Sequence, residues 1–394
     1  MKQNNCKYPS WLTEYTFDNC KLNRKEYGEF LIDYIIGEKN GFVLNLNGEW
    51  GTGKTQFLRR FYSGLIIRKH PTIYIDAWES DFSDIPLSVV SSELINQLSC
   101  VNENIGSELE KVSEFLGKAL KGTIIGGAGL LSKHFLGEAS VGNEIAKALF
   151  EQSPKDFLDK VKGDHVEQID AIKQIREQLG LLAEVIKTNY GCSLPIVVLV
   201  DELDRCRPTY AIEMLEVIKH FFTTENFVFV IATDTKQLKN SIKAVYGSEF
   251  DSSTYLKRFF NREARLPSPD IEHYLSIQDL NFSDYENKIV IYPNLRTNIA
   301  TSTNNYLEWA SKAYNLSIRD IDQLIDKLKS CLRTVLSTAE SSDKKQYVNI
   351  FCLIAALVEF DKGLPQFDSR KEDEPNADVS FEEDFGIDIS SEYN

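Results

Sequence analysis

The chain has 394 residues, of which 42% are hydrophobic and 26% are charged, a composition typical of a soluble globular protein with two or three domains. The formal net charge of −15 argues against a protein whose main task is to grip nucleic-acid phosphates, because such proteins are more often basic. Seven scattered cysteines, with no C-x-x-C pair and no apolar leader at the N-terminus, predict reduced thiols and a cytoplasmic location.

The first predicted elements are a helix and two strands. Residues 22–36 carry apolar side chains at helical spacing, and Phe42–Asn47 is an apolar run typical of a strand. A second strand is predicted at residues 72–78, which are rich in β-forming side chains. The helix that begins near Gln56 lies between these two strands.

A glycine-rich segment joins the first strand to that helix. It reads Gly48-Glu49-Trp50-Gly51-Thr52-Gly53-Lys54-Thr55-Gln56. Glycines allow backbone N–H groups to curl around phosphates, and the following helix adds the donors of its N-terminus. Lys54 is expected to reach the β- and γ-phosphates, where it also serves catalysis, and Thr55 to bind Mg²⁺. We therefore expect these nine residues to bind ATP; the alternative is a chance glycine-rich turn.

A long segment without a convincing strand, residues 80–190, follows the second strand. Residues 87–98, 109–120 and 156–187 within it have the apolar spacing of helices. Residues 122–131 are rich in glycine and apolar side chains, but roughly ten residues are too few to span a hydrocarbon layer of ~30 Å. We expect them to form a helix packed in protein or a loop, with a role at a membrane surface or a partner as the alternative.

The third strand, residues 195–200, is entirely apolar, as suits a central parallel strand buried on both faces. It leads into Asp201 and Glu202. Acidic residues at the C-terminal end of such a strand lie beside the phosphate loop. We expect Asp201 to hold Mg²⁺ through its hydration shell, and Glu202 to orient or deprotonate the attacking water. The alternative is a solvated acidic turn.

A fourth strand, residues 226–232, is followed by Thr233 and Asp234. Either side chain is a candidate to sense the γ-phosphate or to hold the water. The alternative is that they cap the helix predicted at Thr235–Tyr246.

Four basic residues form a cluster in and near the fifth predicted strand, residues 263–267. They are Lys257, Arg258, Arg262 and Arg265. Arg258 is our first choice for an arginine aimed at the γ-phosphate, either in its own chain or in a neighbouring subunit. The alternatives are ion pairs with Glu249, Asp251 or Glu263 and, less favoured, a nucleic-acid patch.

The alternation of strands and helices predicts an α/β fold with a five-stranded parallel sheet. No strong strand is evident beyond residue 269, where residues 317–336 and 346–358 are predicted helices. The expected divisions are the N-terminal part of the core (1–79), a helical insertion (80–190), the C-terminal part of the core (191–268), a helical lid (269–366) and an acidic mobile tail (367–394).

Together these motifs resemble those of the KAP P-loop NTPases over about residues 20 to 360. The matching features are the phosphate loop with Trp50 inside it, Asp76-Ala77-Trp78, the segment from Asp201 to Pro208, and Tyr255-Leu256-Lys257. The resemblance implies an additional strand, and hence the strand order 5-1-4-3-2, and a helical C-terminal lid. It also implies that Arg319 of Ser317-Ile318-Arg319 contacts the nucleotide, although members more often carry Asn-Pro-Arg there.

The resemblance and the motifs predict a Mg²⁺-dependent ATPase that works as a conformational or assembly switch. We expect a homo-oligomer, a protein partner at the helical insertion and no attachment to a membrane. The setting of bacterial members implies a role in anti-phage defence. The alternatives are a nucleotide-gated scaffold with little turnover and an ATPase stimulated by nucleic acid.

Overall fold

The computed structural model describes residues 6–101 and 165–372, apart from residues 40, 84–85, 222, 268, 279, 283–284, 286–287, 294, 296–297 and 343–344. Contacts divide the described residues into two compact units. The first lies within Met1–Cys20 and Arg24–Pro267, and the second within Lys21–Asn23 and Ser268–Asn394. The helix predicted at residues 109–120 and the glycine-rich residues 122–131 lie outside the described residues.

A five-stranded parallel sheet forms the centre of the first unit. Its strands are β1 (Phe42–Asn47), β2 (Thr72–Asp76), β3 (Ile196–Asp201), β4 (Phe227–Thr233) and β5 (Arg262–Arg265). The order across the sheet is β2-β3-β4-β1-β5, and every neighbouring pair is parallel. This is the predicted order read from the other edge, so the predicted fold class is confirmed.

Helices cover both faces of this sheet. They are α1 (Trp11–Glu14), α2 (Lys25–Ile36), α3 (Lys54–Ile67), α4 (Pro86–Ser99), α5 (His165–Tyr190), α6 (Pro208–Phe221), α7 (Thr235–Tyr246) and α8 (Ser252–Leu256). Strand β3 shows why both faces are covered, since Val198 and Val200 enter the core on one face while Val197 and Leu199 enter the core on the other. The part of α5 beyond residue 174 packs on the first of these cores through Ile175, Leu179, Leu182 and Ile186.

The outer edge of the sheet at β2 is covered by a side chain of α4. The amide of Gln97 accepts a hydrogen bond from the Tyr74 N–H at 3.0 Å and donates one to the Tyr74 carbonyl at 2.6 Å. At the other edge, β5 has only four residues, and its Arg262, Glu263 and Arg265 are exposed. Across the described residues, no helix is both long enough and apolar enough to cross a membrane.

The second unit contains five helices and one pair of strands among the described residues. They are α9 (Ile271–Ser276), β6 (Ile289–Tyr292), α10 (Ile299–Ala313), α11 (Ile318–Ser342), β7 (Gln346–Asn349), α12 (Ile350–Lys362) and α13 (Pro365–Glu372). The parallel pair β6–β7 shows that the expectation of a region without strands was wrong. The predicted helix at residues 346–358 is divided at Asn349, whose side chain accepts from the Cys352 N–H and caps α12.

The segment expected to be a mobile tail begins inside α13. The ring of Phe367 packs against Phe360, with ring centroids 5.3 Å apart, and this contact holds the start of the segment in the helix. Residues 373–394 lie outside the described residues.

Candidate functional site

The phosphate loop requires glycine at three positions. Gly51 and Gly53 have φ angles of 83° and 84°, in the left-handed region that side chains disfavour. A Cβ atom on Gly48 would lie 2.9 Å from Thr52 Oγ1 and 3.3 Å from Leu266 Cβ. The loop therefore depends on these glycines for its shape, and it ends at Gly53, directly before α3.

Lys54 is held inside the loop by oxygen atoms. Its side chain is buried, and its Nζ donates to the Gly48 carbonyl at 2.8 Å. The same Nζ lies 3.6 Å from Asp204 Oδ2. An ammonium group at the centre of a loop of backbone donors is placed to receive phosphate oxygens in exchange for these partners.

Asp204 is a site residue that the sequence reasoning did not assign, although it lies in the acidic segment after β3. Its Oδ2 accepts from the indole Nε1 of Trp50, while the backbone N–H of Trp50 donates to Asp234 Oδ2 at 3.1 Å. Asp204 is buried, and its Oδ1 has no hydrogen-bond partner in the described part of the chain. Two carboxylates from different strand ends thus fix Trp50 in the loop.

Asp201 ends β3 as a buried carboxyl. The Tyr74 hydroxyl donates to its Oδ2 at 2.8 Å, and the Glu202 N–H donates to its Oδ1 at 2.9 Å. Burial raises the pKa of Asp201 to about 6, because removal from water disfavours the charged form. Tyr74 on β2 is a second contact that the sequence reasoning did not identify.

Glu202 lies directly after β3 with a φ of 60°, which is strained for a residue other than glycine. Its Oε1 accepts from Thr55 Oγ1 at 2.7 Å, and its Oε2 forms an ion pair with Arg205. The side chain of Glu202 therefore reaches the start of α3, and its role toward an attacking water stays a prediction.

The hydroxyl of Thr55 and the carboxyls of Asp201 and Glu202 form a set of oxygen ligands that fits Mg²⁺. The described residues contain no group of three or more His, Cys, Asp or Glu side chains able to hold a metal. Magnesium needs no such group, because it keeps several waters and is bound by one or two carboxylates together with substrate phosphates. With nucleotide present, Thr55 and Asp201 would hold the ion, which would neutralise phosphate charge.

Thr233 and Asp234 lie at the end of β4, next to the loop. The Thr233 hydroxyl is fully buried and donates to Asn45 Oδ1 at 2.8 Å. Asp234 Oδ1 caps α7 by accepting from the Lys236 and Gln237 N–H groups. Asp234 thus combines the cap with its contact to the loop, whereas Thr233 points into a buried network.

Arg258 is exposed and precedes β5, at the end of the sheet opposite to the phosphate loop. The Asn261 N–H donates to the Val43 carbonyl at 3.0 Å, near the beginning of β1. The Lys219 ammonium, near the end of α6, lies 5.5 Å from the ring centroid of Phe259. Arg258 is therefore remote from the loop of its own chain, and only its role in a neighbouring subunit remains a prediction.

The other two predicted contacts are exposed. Gln56 lies in the first turn of α3 and accepts from Arg60 Nη1 at 3.1 Å. Arg319 lies in the first turn of α11, in the second unit. Its role at the nucleotide stays a prediction.

We expect Asp201→Asn to change the pH dependence of stability. The folded chain keeps the Asp201 proton up to about pH 6, whereas the unfolded chain loses it near the ordinary pKa of 3.8. Wild-type stability from this group is therefore lost as the pH rises from about 4 to 6. As the pH rises through this window, the free energy of unfolding of the variant should increase relative to that of the wild type by up to about 2–3 kcal/mol. Above about pH 6 the difference should stay constant. Urea unfolding without nucleotide or Mg²⁺ measures this; a difference independent of pH would contradict it.

Comparison with known families agrees with this geometry. A family model described as the KAP family P-loop domain matches residues 24–335, which is more than half of the chain. Comparison with curated proteins finds no significant match. The matched region contains the whole five-stranded sheet, the phosphate loop and the acidic end of β3. The chain belongs to the KAP family of P-loop NTPases.

Proposed function

We propose that this P-loop domain binds ATP with Mg²⁺, hydrolyses it and uses the cycle as a conformational and assembly switch. The observation that carries the proposal is the Thr55–Glu202 hydrogen bond of 2.7 Å, which joins the phosphate loop to the acidic end of β3. The Thr55 hydroxyl uses its proton in this bond and keeps its lone pairs for a metal ion, so an ion bound there would act directly on the side chain of Glu202. The occupancy of the loop would then change the conformation after β3.

The proposed roles follow from the contacts. Lys54 binds the β- and γ-phosphates, Thr55 and Asp201 hold the ion, and Glu202 accepts the proton of the attacking water. The Glu202–Arg205 ion pair must open for the last of these roles. That ion pair also favours a second candidate function, a nucleotide-gated scaffold with little turnover, since it occupies the carboxylate that hydrolysis needs.

The setting of the switch rests on the family alone. We propose a protein partner at the helical insertion, because the insertion is the large element without a nucleotide role, and a role in anti-phage defence. Stimulation by nucleic acid is a further alternative. An ATPase rate unchanged by DNA and RNA, with no binding at low salt, would exclude it.

The assembly proposal predicts a change of mass with nucleotide. Light scattering should show a dimer or larger species for the wild type with Mg²⁺ and ATP, but not for Lys54→Ala under the same conditions.

If Arg258 acts on a neighbouring subunit, Arg258→Ala and Lys54→Ala should each be inactive, and their mixture should regain activity. This is expected because a mixed assembly pairs one intact loop with one intact Arg258. A mass unaffected by ATP would contradict the assembly role, and a mixture as inactive as its parts would contradict the role of Arg258.

A further inference from the structure

Arg24 is a buried cation that bridges the phosphate loop and the end of the core sheet. Its exposed fraction is 3%. Its Nη1 donates to the Thr52 carbonyl at 2.7 Å, and its Nη2 donates to the Pro267 carbonyl at 2.6 Å. These two carbonyls are separated by most of the first unit in sequence, and one guanidinium holds both.

The burial of Arg24 is not explained by an ion pair. No salt bridge joins it to a carboxylate of the described residues, and its buried Nε has no hydrogen-bond partner among them. Burial lowers the pKa of Arg24 to about 10, so the group stays charged near neutral pH. A buried charge without a counter-ion lowers stability. A gain when an anion occupies the adjacent loop would offset this cost.

The contact with Thr52 fixes the direction of one loop donor. The peptide between Thr52 and Gly53 is trans, so its carbonyl and its N–H point in opposite directions. Because the Thr52 carbonyl points toward the guanidinium of Arg24, the Gly53 N–H points away from Arg24, at the N-terminus of α3. That N-terminus is where the phosphates are expected to bind.

Arg24 also lies where the two units are connected. The chain passes from the second unit to the first between Asn23 and Arg24, and returns to the second between Pro267 and Ser268. Arg24 is itself the first-unit residue at one passage, and its guanidinium bonds Pro267, the first-unit residue at the other. The same guanidinium contacts the phosphate loop. The bonds to the Thr52 and Pro267 carbonyls are both made by one rigid planar group.

We propose that Arg24 is a positioning residue, which orients the peptide between Thr52 and Gly53 toward the phosphates and couples the loop to both connections between the units. The inference rests on the proposed binding of ATP. It assigns to Arg24 no contact with the nucleotide itself. Its action is through the backbone of the loop and through the carbonyl of Pro267.

The test compares Arg24→Lys with Tyr27→Phe. Lysine keeps the charge but lacks the planar fork, so Arg24→Lys should lower the affinity for ATP by about tenfold or more. Tyr27→Phe removes a hydroxyl that donates to the Arg265 carbonyl at 2.7 Å, another tie between α2 and the end of β5. Tyr27 has no described bond to the loop, so its variant should change the affinity by less than about twofold. Calorimetric titration with Mg²⁺ and ATP measures both.

Hydrogen exchange supplies a readout that a merely structural role would not move. Saturating ATP should alter exchange in wild-type peptides covering residues 48–56, 21–28 and 262–267. In Arg24→Lys the change at 48–56 should persist, while the changes at the other two peptides should be lost.

Three results would overturn the inference. They are wild-type affinity in Arg24→Lys, an equal loss in Tyr27→Phe, and wild-type exchange at residues 262–267 that ATP leaves unchanged. The last applies even if no Arg24 variant folds. A wild-type protein that binds no ATP would instead refute the proposed function, and this inference with it.

Discussion

Replacing Glu202 by glutamine should leave ATP bound and slow its hydrolysis by about a hundredfold to ten thousandfold. Glutamine keeps an oxygen that can accept from the Thr55 hydroxyl, as Oε1 does at 2.7 Å, so the loop and its affinity should be preserved. It cannot accept a proton from water, and its ion pair with Arg205 is lost. Phosphate release under saturating ATP, together with a binding titration, measures both effects.

Glu263→Gln is the matched control for this change. Glu263 lies on β5 and accepts from Asn47 Nδ2 at 2.8 Å, so it is another carboxylate near the end of β1 that a glutamine can replace. Its variant should hydrolyse ATP at the wild-type rate. A wild-type protein no faster than Glu202→Gln would refute hydrolysis by Glu202 and favour the scaffold with little turnover.

Lys54→Ala should lower the affinity for ATP by at least about tenfold, because a charge-assisted hydrogen bond to the phosphates is lost. It should also destabilise the protein without nucleotide by about 3 kcal/mol. The reason is Asp204, which is buried and would lose the ammonium at 3.6 Å while its Oδ1 already has no partner in the described structure. Denaturant unfolding and ATP titration measure the two effects separately.

The double variant Lys54→Ala with Asp204→Asn separates these two effects. Neutralising the carboxylate should recover most of the lost free energy of unfolding, while the amide oxygen that replaces Oδ2 of Asp204 still accepts from Trp50. The affinity for ATP should stay low, because the phosphate ligand is absent. Undiminished affinity in Lys54→Ala itself would refute the phosphate-loop interpretation.

The order of the sheet follows from the resemblance to the family, whereas the strands β1 to β4 could be recognised one by one because each is a largely apolar run. Strand β5 lacks that signal, since three of its four residues are charged. The sequence predicts that Asp201 at the end of β3 and Lys54 after β1 lie close together, since the carboxyl ends of parallel strands meet at one edge. The strands β6 and β7 could not be recognised. They have four residues each, and β7 leads directly into α12 with no intervening loop, so the apolar side chains of the two elements lie in one stretch of sequence.

Contacts between distant parts of the chain account for the rest of what the sequence did not predict. Asp204 and Tyr74 become site residues only through their partners Trp50 and Asp201, and no local pattern indicates those pairs. Arg24 opens an ordinary amphipathic helix, and its bond to Pro267 spans 243 positions. Side-chain to backbone bonds of this kind leave no periodic signal in the sequence.

The amide of Gln97 against the backbone of Tyr74 has a consequence for self-association. A parallel sheet with open edges can recruit a strand from another molecule and grow without limit, which is a route to aggregation. Gln97 occupies the donor and acceptor that such a strand would use at β2, and the charged side chains of the short β5 discourage it at the other edge. The assembly proposed above would therefore use side-chain surfaces rather than added strands, and contacts of that kind can be made and released repeatedly.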